Sequence, residues 1–121
     1  MTIWAVMRTR FEGIHNYPKA PDEVSFLRHP HRHMFHVTVH LEQFHDNRDV
    51  EFLMFLTWLR SELFDAGMIS IDGQVELGHV SCESLARKIA LIINVKHPDR
   101  RLKIEVSEDG ENGALLEGDM R

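Results

Sequence analysis

A chain of 121 residues, 43% apolar and 27% charged, has the size and composition of one globular domain around one core. Its formal charge of −5 argues against a nucleic-acid partner, whose phosphates need a basic face. No apolar run is long enough to cross a bilayer, and the N-terminal MTIWAVMRTRFEG lacks the basic start and cleavage site of a secretory signal. The single cysteine, Cys82, rules out an intrachain disulfide, so the expected location is cytoplasmic.

Taken in order, the chain opens on a strand from Ile3 to Ile14. Met7, Thr9, Phe11 and Gly13 fall on one face, with Arg8, Arg10, Glu12 and Ile14 on the other. HNYPKAPDE, with two prolines, reads as a loop. A second strand runs from His31. It sets Phe35, Val37, Val39 and Leu41 against His36, Thr38 and His40, and it should form a long-looped hairpin with the first. The period then changes. Phe52, Phe55, Leu56, Leu59 and Leu63 define a helical face, with Asp49 as its expected N-cap and Gly67 as its stop. A loop with Gly73 and Gly78 leads to a second helix, capped by Ser81, whose apolar stripe contains Leu85, Ala86, Ile89, Ala90, Ile92 and Ile93. Leu102, Ile104 and Val106 alternate with Lys103, Glu105 and Ser107 in a third strand. Asn112–Gly113 signals a hairpin turn, and ALLEG a short fourth strand. The order β-β-α-α-β-β predicts an α+β fold, a four-stranded antiparallel sheet with two helices on one face.

Nine histidines are many for this length, and four of them (His29, His31, His33 and His36) fall within eight residues. Neutral imidazole is a common zinc ligand. On a strand, His31 and His33 project together, ~7 Å apart. A third ligand is needed, and His15, at the end of the neighbouring strand, is the best placed. Pattern alone does not choose the pair, because His29 shares the parity of His31 and His33. A histidine-rich solvated strand is the plainer alternative. His36, His40, His45 and His97 read as surface or loop positions.

Three separated motifs and the order of elements resemble the 6-pyruvoyl- and 6-carboxy-tetrahydropterin synthases, members of the tunnelling fold. The family's F-x-A-x-H is matched by FEGIH, with Phe11, Gly13 and His15. Its H-G-H-N-Y-x-V-x-V is matched by HRHMFHVTV, which selects His31 and His33. Its P-T-x-E-N-L-A is matched by VSCESLA, with Ser81, Glu83, Leu85 and Ala86, and a weaker V-x-E-T by VSED, with Glu108. The resemblance is collinear from residue 3 to about residue 117. It implies Zn2+ held by His15, His31 and His33. It implies a pterin-type substrate anchored by Glu108, in a pocket between subunits that Ser81 and Glu83 help to line. It also implies a homo-oligomer, by family habit a hexamer of two stacked trimers. The implied activity is that of a lyase acting on a dihydroneopterin-triphosphate-type pterin.

Two family positions differ. Leu27 stands where the family has its catalytic cysteine. In FDAGMIS, Asp65 matches the catalytic aspartate, but Ala66 stands where a histidine should follow. His29, His79, Cys82 and Glu23 are available as replacement acids or bases. The expectations are therefore a divergent zinc enzyme, a zinc-containing pterin or purine binder without turnover, or a structural relative with incidental histidines.

Overall fold

Alternation in the first two strands produces one long antiparallel hairpin. In the computed structural model, which describes residues 1–119, β1 (Ile3–His15) pairs with β2 (His31–Gln43) from Ile3↔Gln43 through His15↔His31. Met7, Phe11 and His15 are buried on the same face as Phe35, Val37, Val39 and Leu41. The intervening loop is bonded to itself: Tyr17 N donates to Leu27 O, and the Arg28 guanidinium donates to Ala20 O. A short 3-10 segment, Asp22–Arg28, lies inside it.

Helix α1 (Phe52–Asp65) buries Phe55, Leu59 and Leu63. Phe52, expected on that face, is largely exposed, so the buried stripe is narrower than the spacing suggested. Its N-cap is Glu51, whose carboxylate accepts from Leu53 N at 2.6 Å, and not Asp49. Asp49 instead accepts from Phe44 N and from the Arg100 guanidinium, both at 2.7 Å. These bonds draw it off the helix and tie the chain just after β2 to Arg100. The helix ends as expected at Gly67, whose φ of 74° is one glycine adopts freely. Gly67 N donates to Phe64 O and Met68 N to Leu63 O, a Schellman closure.

Helix α2 (Cys82–Lys96) starts at Ser81, whose hydroxyl accepts from Ser84 N. It buries Leu85, Ala86, Ile89, Ala90 and Ile93. These residues join the inward side chains of the sheet in one apolar cluster. Burying each large aliphatic side chain in it contributes about 1.5–3 kcal/mol.

Strands β4 (Arg101–Glu108) and β5 (Asn112–Asp119) form the second hairpin, with β4 antiparallel to β2. The reversal falls at Asp109 and Gly110, at φ 57° and 74°, rather than at Asn112–Gly113, which already belong to β5. Asp-Gly accepts paired positive φ values as readily as Asn-Gly does. The sheet has five strands, in the order β3-β1-β2-β4-β5. The extra strand, β3 (Val75–Gly78), comes from the glycine-flanked loop and runs parallel to the end of β1. The architecture is thus α+β, with a mixed five-stranded sheet in place of the four antiparallel strands expected. No helix among the described residues is long and apolar enough to cross a membrane.

Candidate metal centre

Strand register alone brings the three histidines together. His15 and His31 are directly opposed, and His33 faces Gly13 one step further in. All three lie on the core side of the sheet, at the end of the hairpin where the apolar face runs out. Gly13 leaves room there. A Cβ at that position would meet Leu77 Cδ1 at 2.5 Å and the Phe35 ring at 3.1 Å.

The imidazoles form a tripod. Ring centroids are 4.6 Å apart for His15–His31, 5.0 Å for His31–His33 and 5.2 Å for His15–His33, with interplanar angles of 70°, 85° and 84°. One nitrogen of each ring lies within 4.8 Å of the corresponding nitrogens of the other two. Each Nδ1 is engaged by an oxygen: His15 by Val80 O at 2.8 Å, His31 by His29 O at 2.8 Å, and His33 by Asp109 Oδ2 at 2.6 Å. An N–H donated to those acceptors leaves Nε2 as a lone pair on every ring, the tautomer a metal ligand needs. Nε2 of His15 is buried without a hydrogen-bond partner, and Nε2 of His33 has only the Glu108 carboxylate beside it, at 2.9 Å. Buried polar atoms are ordinarily paired, so the unpaired His15 nitrogen, facing the same carboxylate, fits a cation there. The group could therefore hold a metal ion.

Two carboxylates frame His33. Asp109 accepts from His33 Nδ1 through one oxygen and from Met34 N through the other, at 2.9 Å, and these bonds hold its carboxyl below the usual range. Glu108 sits on the opposite side, with Oε2 at 2.9 Å from His33 Nε2 and Oε1 at 3.9 Å from His15 Nε2. Cys82 Sγ donates toward Glu108 Oε1 at 3.8 Å. Burial, helped by Glu108 and Glu83, pushes this thiol up to about 12, so it is neutral at pH 7 and not a nucleophile.

A cavity of about 590 Å³ opens beside His15 and His31. Ser81, Glu83 and Glu108 all line it, and so does Leu27. Of the four replacement acids and bases, His79 and Cys82 reach the cavity wall, whereas His29 and Glu23 do not. Asp65 stands exposed at the last turn of α1 and does not line the cavity of its own chain. His97, expected at the surface, is half-buried against Phe55 and Trp58, and burial lowers its pKa. Asp109 was not anticipated. Its only local signal is the Asp-Gly turn, and its partner His33 is 76 residues away.

The chain matches no protein-family model, and no curated protein matches it significantly. What fold and site define is an α+β chain with a three-histidine group able to hold a metal ion, set beside a polar-rimmed cavity.

Proposed function

We propose that this chain is a zinc-dependent lyase of the tetrahydropterin-synthase type, acting on a pterin or a related fused-ring heterocycle. The observation that carries the reading is the tripod itself, with three Nε2 lone pairs converging while every Nδ1 is held by an oxygen acceptor. Bound zinc would act as a Lewis acid, polarising oxygens on the substrate side chain and easing proton removal from the adjacent carbon. Ser81, Glu83 and Glu108 offer acceptors along the cavity wall for the N–H edge of a 2-amino-4-oxo pyrimidine ring. Leu27 cannot exchange a proton. His79, exposed at the rim, is the base available on this chain, and the neutral Cys82 thiol can only donate.

The reading extends to a homo-oligomer, a hexamer by the family's habit. Open edges at β3 and β5 support association, because unpaired strand edges invite it. Asp65, remote from its own cavity, would then serve a neighbouring protomer. A second reading, a zinc-containing binder without turnover, is favoured by Leu27 and Ala66 at positions where the family places its thiol and imidazole.

Dihydroneopterin triphosphate mixed with the purified, untagged protein distinguishes them. Product above that of the metal-free control supports the lyase, and saturable binding without product supports the binder. Protein that takes up no zinc, or a His31→Ala variant that keeps its zinc, would refute the site.

A further inference from the structure

We infer that Glu108 is the fourth ligand of the metal while the cavity is empty, closing a His3Glu coordination sphere. The inference rests on the three-histidine reading and concerns a residue to which that reading gives a different task, holding the substrate ring.

The geometry at His33 is the starting point. Its Nδ1 lies 2.6 Å from Asp109 Oδ2, and with the proton on Nδ1 the ring presents a lone pair at Nε2. Facing that lone pair at 2.9 Å is an anionic oxygen of Glu108. Two acceptors at that separation repel unless a positive charge lies against both. The second Glu108 oxygen is 3.9 Å from Nε2 of His15, a buried nitrogen with no hydrogen-bond partner. Around a tetrahedral zinc with bonds of about 2.0–2.1 Å, neighbouring ligand atoms are roughly 3.3 Å apart. The separation of Oε2 from His33 Nε2 is close to that edge, and the carboxylate's other oxygen lies on the side of His15. Glu108 thus stands at the place of a ligand to the same ion and is not parked at the far wall of the cavity.

Backbone structure holds it there. Glu108 is the last residue of β4 and pairs with Phe35, two residues along β2 from His33. Its side chain therefore projects from the same face as the histidines. Cys82, at the start of α2, donates toward its second oxygen. The carboxylate remains about one-third exposed, on the cavity side. An entering oxygen ligand can displace it without unfolding anything. A ligand oxygen and Glu108 then compete for one coordination position. A resident carboxylate also protects the ion from adventitious anions.

The test uses the full chain loaded with Co2+, whose visible bands report coordination, with wild type compared against Glu108→Gln and Glu108→Ala. Circular dichroism checks that each variant keeps its fold. The wild type should bind one equivalent and show four-coordinate bands that thiocyanate barely alters. In both variants metal affinity should fall by about tenfold or more, and thiocyanate should shift the bands at concentrations at least about tenfold lower. Stoichiometric binding with the same affinity, bands and anion response in all three proteins would overturn the assignment and leave the histidine site standing. A wild type that binds no Co2+ or Zn2+ would overturn both.

Discussion

Replacing Asp109 by asparagine tests whether the carboxylate behind His33 tunes the metal. Asparagine is nearly isosteric and tolerates the left-handed conformation at position 109, so the turn should survive. In the wild type the two oxygens have separate tasks, one accepting from His33 Nδ1 and the other from Met34 N. Asparagine has one acceptor oxygen, and its NH2 must face one of these two donors. His33 loses a short charge-assisted bond, or Met34 loses its acceptor and the turn shifts. Removing the partner behind a ligating histidine costs 10- to 100-fold in metal affinity. Asp109 is 42% exposed, so water can replace part of the bond, and the loss should lie near the lower bound. That is about tenfold in Kd for zinc, or ~1.4 kcal/mol. Competition against a chromophoric chelator at pH 7 measures it. An Asp109→Asn protein that folds normally and binds zinc within about twofold of wild type would refute the argument that Asp109 fixes the His33 tautomer.

Three other outcomes are expected. Asp49 and Arg100 are almost covered, at 12% and 13% exposed, and Arg100 and the Phe44 N–H hold the Asp49 carboxyl down to about 2 from 3.8. A carboxyl depressed by folding contributes stability above its unfolded pKa and loses it as the pH falls through the folded value. Asp49→Asn should therefore be about 2 kcal/mol less stable than wild type at pH 7, with the gap narrowing between about pH 4 and pH 2; urea melts showing a constant gap would contradict this. Removing metal with a chelator should raise amide exchange in residues 16–30, the loop closed by His15 and His31, before it affects α1 or α2, and uniform exchange would count against a metal tie. Gly113→Ala would drive a methyl into the backbone at Val106 O and to 2.6 Å from Ser107 Cα, so it should lower stability by roughly 2–3 kcal/mol, and an unchanged Tm would show that β5 is not seated as described.

Much of this could be read from the chain because it repeats locally. Alternation from Met7 to Gly13 and from Phe35 to Leu41 reports a period of two, and the buried faces follow it. Ser81 is legible as a cap because capping acts over three residues. The histidine set required the resemblance, since His29, His31 and His33 share one parity. What stayed hidden acts at long range or is too short to show a period. Val75–Gly78 is a four-residue strand whose partner, β1, lies some sixty residues earlier. Asp49 reads as a cap until Arg100, far along the chain, draws it away. Asp109 reads as a turn residue, and only the β2–β4 register brings it beside His33.

Hairpin tips are usually where a fold can absorb extra residues, because nothing depends on their length. The tip between β4 and β5 is different. Glu108 and Asp109 are consecutive, and they reach the two nitrogens of one imidazole from opposite sides. One added residue there would slide one acid away while the other stayed, leaving the ring gripped from a single side. Descendants of this sequence should vary the span between His15 and His31 far more freely than the four-letter corner SEDG.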